Sequence, residues 1–279
     1  MSSTHVWRIS CTTTESKADA IVDALFELGA TGVDLTPQGD EFELCLYAET
    51  KQIALRYQAE LRRSAPDVTP ALARVSRDEW LAPWRESLAP VEVTSGYWLV
   101  PTWLEFAAPA GARVLRIEPD LVFGVGSHPS TQLSAAAVVR TCNERRGRSV
   151  LDVGTGTGVL AMIAAQEGAA RVLGTDIDPR AVRSARRHAK LNSLAGRARY
   201  TERPLQRIQD TFDVVVANIE RPILDALAED LARVTRSHLL LSGFLLDDVD
   251  PLRERFEQLG LGRSQVDSFE DWAHLSLQH

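Results

Sequence analysis

The sequence predicts an α/β chain, with a doubly wound parallel sheet behind a small α+β module. Three observations carry this. An apolar run at 150–153 leads into Gly154-Thr155-Gly156-Thr157-Gly158 and then into an apolar helical stretch at 159–167, which reads as strand, glycine turn and helix. A second apolar run at 171–175 stops at Asp176, about twenty residues past the glycines. The first eighty residues follow the order βαββαβ, the split arrangement of ferredoxin-like domains.

The front module begins with a strand at 5–10. Ala18, Ile21, Val22, Leu25 and Phe26 then recur at helical spacing, and Gly29 is a suitable stop. Residues 32–36 and 41–48 read as strands around the turn-rich quartet Pro37-Gln38-Gly39-Asp40. A second amphipathic helix covers 50–63 and a last strand 71–76. Nothing in this stretch offers a phosphate loop, a metal-ligand cluster or paired catalytic groups, so residues 1–77 read as a recognition domain. Residues 78–104 hold Trp80, Trp84, Trp98 and Trp103 with Pro83, Pro90 and Pro101. That composition predicts a linker packed against its surroundings, with the tryptophans as packing groups.

The third segment, 105–279, carries the chemistry. Phe123-Gly124-Val125-Gly126-Ser127-His128-Pro129 reads as a loop with a demanding backbone, a candidate lid ahead of a helix at 131–146. The Thr131 hydroxyl can cap that helix or reach a ligand. His128 reads as a hydrogen-bonding residue of the turn, with a role as proton acceptor as the alternative. In the glycine turn, φ > 0 becomes accessible and a ligand can approach the backbone. A strand, a glycine turn and a helix N-terminus together make a nucleotide-sized site. A dinucleotide fingerprint would need a third glycine where Val159 stands. Asp176, at the end of the second strand, can accept both hydroxyls of a ribose. Asp178 precedes Pro179 as an N-cap.

The helix at 179–192 has an apolar face and an arginine-rich solvated one. A strongly apolar strand at 212–217 ends at Asn218, whose amide can hold an amine, brace a cofactor or cap the next helix. Helix 223–234, strand 238–242, helix 248–259 and two strands around Gln265 and 272–277 complete the alternation.

Composition bounds the function classes. At 279 residues, 44% hydrophobic and 25% charged, the chain is an ordinary globular one without a membrane-length apolar run or a signal-like N-terminus. Cys11, Cys45 and Cys142 form neither a disulfide frame nor a zinc pattern. The expectation is a cytoplasmic protein without a metal. A net charge of −7 argues against direct nucleic-acid binding. Up to residue 80 there are eight Lys and Arg against thirteen Asp and Glu, an imbalance suited to a basic protein partner.

The glycine spacing, with Asp152 before it, resembles S-adenosylmethionine-dependent methyltransferases. With 123–129, Asp176-Ile177-Asp178-Pro179, Asn218-Ile219 and Asp271-Trp272, the chain resembles more narrowly the methyltransferases of large-subunit ribosomal protein eleven. The resemblance spans nearly the whole chain. It implies a Rossmann-like methyltransferase sheet, S-adenosylmethionine as methyl donor and Thr131, Gly154, Asp176 and Asn218 as donor contacts. Phe123, His128 and Gly156 complete the expected cofactor set, with Asn218 as the catalytic residue. It further implies methylation of lysine side chains and of the N-terminal amine of a ribosomal protein held through the front domain. The chain departs from the family pattern at Val125 and Ser127, where threonines are usual, and at Glu220-Arg221, where Leu-Ala is usual. Lysine methylation of another protein, such as an electron-transfer flavoprotein subunit, is the alternative. A non-catalytic binding module and a small-molecule methyltransferase are readings of other classes.

Overall fold

The computed structural model describes residues 5–30, 32–39, 41–76, 79–80, 82, 88–118, 126, 128–144 and 146–279. The chain forms two compact units, Met1–Leu88 and Ala89–His279.

In the first unit, β1 (His5–Thr14), α1 (Glu15–Glu27), β2 (Asp34–Gln38), β3 (Glu41–Ala48), α2 (Lys51–Ser64) and β4 (Ala71–Ser76) follow one another. The sheet order is β2-β3-β1-β4, antiparallel throughout. Alternate residues of β1 and β3, Ile9 and Cys11 with Leu44 and Leu46, point to one face. There they meet Ile21 and Leu25 of α1 and Ala54, Tyr57 and Leu61 of α2. Each fully buried Leu or Ile contributes roughly 1.5–3 kcal/mol of transfer free energy. Thr50 caps α2, its Oγ1 accepting from Ile53 N at 3.3 Å. Gly29 ends the first helical segment with φ 90°, as its position suggested. The turn quartet is shorter than expected, because Pro37 lies inside β2, paired with Phe42. An edge strand tolerates it, since a missing N–H there breaks no inner ladder.

The second unit opens with a three-stranded sheet of β5 (Val91–Thr94), β6 (Tyr97–Pro101) and β7 (Arg113–Ile117). Residues 91–94 and 97–101, expected in a linker, are therefore strand. Val93, Tyr97 and Leu99 are buried in the same core cluster as Val150 and Val216. Strands of four and five residues broken by Gly96 carry too little periodicity to be seen in sequence. Trp98 packs on Phe106 at 4.9 Å between ring centroids, and Trp80, in the first unit, packs on Tyr47 at 5.3 Å. Trp84 lies outside the described residues.

Next come α3 (Pro129–Glu144), β8 (Ser149–Val153), α4 (Val159–Gln166), β9 (Arg171–Thr175), α5 (Pro179–Leu191), β10 (Ala198–Thr201) and β11 (Phe212–Asn218). They are followed by α6 (Arg221–Val234), β12 (Thr235–Leu245), α7 (Val249–Glu257), β13 (Arg263–Phe269) and β14 (Trp272–Gln278). These seven strands form one sheet in the order β10-β9-β8-β11-β12-β14-β13. Strands β10 to β12 in that order are parallel, and β14 runs against both its neighbours. Alternate residues divide between two cores: Val150, Val214, Val216 and Leu240 face α3, α4 and α5, while Leu151, Val215, Leu239 and Leu241 face α6 and α7. This is the doubly wound sheet expected. Between β8 and β11 the strand order reverses, which leaves a crevice at the strands' C-terminal ends. Among the described residues no helix is long and apolar enough to cross a membrane.

Candidate active site

A cavity of about 780 Å³ occupies that crevice. It is lined by His128, Thr131, Gly154, Gly156, Asp176 and Asn218, so six of the seven residues singled out in the sequence meet at one place. The seventh, Phe123, lies outside the described residues, as do Gly124, Val125 and Ser127. Gly126 is described. Its φ is 91°, and a Cβ there would overlap the Leu99 side chain of β6, so the loop does carry a backbone reserved for glycine.

The glycine turn is built from beneath. Gly154, Gly156 and Gly158 have φ of 70°, 54° and 84°. A Cβ on Gly154 would overlap Ile219 Cγ2, and one on Gly158 would stand 2.9 Å from the Tyr200 hydroxyl. Asp152, 1% exposed, accepts from Thr155 Oγ1 at 2.6 Å and from Ala161 N at 3.2 Å with the same oxygen. It thereby ties the turn to the first turn of α4. Burial raises its pKa to about 6, against the pull of those two hydrogen bonds. Gly158 supplies no side-chain cap to α4, which leaves the helix N-terminus open toward the cavity.

Asp176 is fixed by backbone. Its Oδ2 accepts from Gly156 N at 3.1 Å and its Oδ1 from Asp178 N at 2.9 Å. Each oxygen keeps lone pairs for a further donor. Asp178 is the expected N-cap, accepting from Arg180 N at 2.8 Å. Beside Asp176, Ile177 is 82% exposed and lines the cavity with Pro204 and Leu205.

At the other end, Asn218 Nδ2 donates to Thr131 Oγ1 at 3.4 Å. Asn218 Oδ1 is buried and has no hydrogen-bond partner. A buried acceptor without a partner, on a residue that lines a cavity, is a place for a ligand N–H. Asn218 does not cap α6; Glu220 is the N-cap residue, and its side chain does not bond the helix. His128 Nδ1 accepts from Ser130 N at 3.3 Å and lies 2.8 Å from Ser130 Oγ. With Nδ1 accepting, the neutral ring carries its proton on Nε2, which fits the structural reading of this turn better than that of a base. Its ring meets Trp272 edge to face at 4.4 Å, and burial lowers its pKa.

Sequence reasoning left three supports without a role. In sequence Asp152 reads only as the residue before the glycines. Gly174 in β9 would drive a Cβ to 2.6 Å from Thr155 Oγ1, and Gly243 in β12 would drive one to 2.5 Å from the Ile219 carbonyl oxygen. A glycine inside a strand, or an acid inside an apolar one, was the available signal.

The arrangement suits a molecule with a ribose at Asp176, an apolar face at Ile177 and Leu205, and an amine or carboxylate near the glycine turn. A family model described as ribosomal protein L11 methyltransferase (PrmA) matches residues 5–279. The chain belongs to the ribosomal protein L11 methyltransferase family. Proteins of that name from Sorangium cellulosum and Myxococcus xanthus are 37% and 32% identical to it. The alignments cover 88% of this chain and 81% of the former, and 95% of this chain and 95% of the latter. A crystal structure of ribosomal protein L11 methylase from Lactobacillus delbrueckii is similar, with TM-score 0.63 and 25% identity over 68% of this chain and 98% of that one. The L11 methyltransferase family consists of S-adenosylmethionine-dependent enzymes, so the expected enzyme class and methyl donor stand. Asp176 and the glycine turn fit that donor's ribose and backbone-facing parts.

Proposed function

We propose that this protein methylates amine nitrogens of ribosomal protein L11, on lysine side chains and at the N-terminus, with Asn218 as the residue that orients the acceptor. One observation carries the reading: Asn218, whose buried Oδ1 has no partner, lines the cavity that Asp176 and the glycine turn share. When bound, S-adenosylmethionine supplies a methyl group already activated on a sulfonium.

The chain then has to align a neutral nitrogen and keep water away. Asp176 holds the ribose, and Gly154 and Gly156 let the donor lie against bare backbone. Thr131 and His128 flank it. Asn218, steadied through Nδ2 by Thr131, offers Oδ1 to an N–H of the acceptor and aims the nitrogen's lone pair. No general base is required: an α-amine of pKa about 7.7–8.0 is partly neutral near pH 7, and a lysine of about 10.4 loses its proton to water or on desolvation. The first unit, with its excess of acids, recognises the basic ribosomal protein in the cytoplasm.

The test is transfer of labelled methyl into a lysate from cells lacking this gene, followed by intact mass spectrometry. Methyl masses on L11 alone support the reading and count the groups added. Label on another protein keeps the enzyme and moves the acceptor. Donor binding without labelled protein overturns it.

A further inference from the structure

We infer that Glu220 is an acceptor-selecting residue: its carboxylate captures the protonated amine at the cavity entrance before Asn218 orients it. The inference rests on the amine-methylating reading above. Glu220 lies two residues beyond Asn218 and lines the same cavity. It is exposed, and its side chain is not used by the fold. Although it is the N-cap residue of α6, the amides that bond to it, Ile223 N and Leu224 N, reach its backbone carbonyl at 3.0 and 3.1 Å.

The neighbouring cation is held elsewhere. Arg221 donates through Nε to Asp225 Oδ2 at 2.8 Å and through Nη1 to the carboxylate and the carbonyl of Asp248, each at 3.1 Å. With Arg221 clamped, the Glu220 carboxylate has no ion pair among the described residues. Ile219, Ile223 and Leu227, its neighbours along the chain and the start of α6, line the same cavity. A carboxylate beside apolar side chains suits an ammonium on an aliphatic stem, because charge attraction strengthens as water is displaced and the methylenes find partners. The carboxylate favours the charged amine, so its part is capture. The proton is lost to water afterwards, and none is assigned to Glu220.

The experiment compares wild type with Glu220→Gln and Glu220→Lys, using purified L11 as acceptor. Donor affinity, measured calorimetrically with S-adenosylhomocysteine, serves as the check on folding. Glu220→Gln should raise the acceptor KM roughly two- to fivefold, the scale of an exposed ion pair, and change kcat less. Glu220→Lys should raise it further, and added salt should narrow both gaps. The pH profile of kcat should move to lower pH in Glu220→Gln, because the bound amine loses a carboxylate that favoured its charged form. Glu229→Gln, farther along α6, paired with Arg255 and outside the cavity lining, should leave KM unchanged. If both Glu220 variants keep the wild-type KM and salt response with donor affinity intact, the capture role is wrong. If wild type labels a protein other than L11, the substrate reading fails separately. The same comparison on that protein then decides Glu220, equal KM values overturning it.

Discussion

Asn218 Nδ2 donates to Thr131 Oγ1 at 3.4 Å, joining the end of β11 to the first turn of α3 across 87 residues of chain. Thr131 is itself held, its N–H donating to the His128 carbonyl at 3.0 Å. The bond leaves Asn218 one way to present Oδ1. Asn218→Ala should therefore lower kcat by about 100-fold at saturating donor, the scale of losing alignment. Thr131→Val, which keeps the volume and loses the acceptor, should lower it by a smaller factor. Steady-state methyl transfer on both variants checks this, and unchanged turnover in Asn218→Ala would remove its orienting role.

Asp176 is expected to act on donor affinity. Its carboxylate is pre-set by Gly156 N and Asp178 N, so ribose hydroxyls meet an acceptor that needs no rearrangement. Hydrogen bonds to a charged group are worth about 1.5–3 kcal/mol each. Asp176→Ala should weaken S-adenosylhomocysteine binding by at least about tenfold in titration calorimetry, and methyl transfer should fall with it.

Gly243 ties the site to the sheet. It has φ 92° at a register shift in β12, and a Cβ would press on the backbone of Ile219, beside Asn218. Backbone cannot swing aside as a side-chain tip can. Gly243→Ala should cost about 1–3 kcal/mol in urea unfolding. It should also reduce kcat, because the strain falls on the segment that carries Asn218.

His274 makes stability depend on pH. It is fully buried in β14, with Nε2 3.1 Å from Ser276 Oγ, and burial lowers its pKa to about 4. Since the unfolded value is about 6.5, the unfolded chain takes up the proton first as pH falls. Its contribution is thus fully present above about pH 6.5 and is lost between there and about 4, up to roughly 3 kcal/mol. Asp152 works the other way, because its raised pKa makes the folded chain bind the proton first. Comparing wild type with His274→Gln at pH 7.5 and pH 4.5 isolates the histidine: the wild type should lose more stability between the two. Equal losses would mean His274 does not set the slope.

Legibility followed the range of the interactions. The glycine turn, Asp176 and the Asp178–Pro179 helix start depend on neighbours within a few residues, and each lies where its local pattern put it. The strands of the small β5-β6-β7 sheet were missed because each is short and β7 is reached through a long connection. Pro37 was misplaced because only the sheet shows that β2 is an edge. Nothing local explains Gly174 or Gly243, because the atoms that would meet a Cβ there, on Thr155 and Ile219, are brought in by the fold.

By itself the sequence determined the layer architecture, the strand–turn–helix unit, the carboxylate at the end of β9 and the family resemblance, because periodicity and turn chemistry act locally. Only the tertiary structure decided that Asn218 meets Thr131, that its Oδ1 stays open, that Arg221 is clamped away from Glu220 and that Asp152 braces the turn. Those relations join residues distant in the chain or set the direction of a side chain. Which polar atoms are paired and which remain available to a ligand follows from packing, and no one-dimensional pattern encodes it.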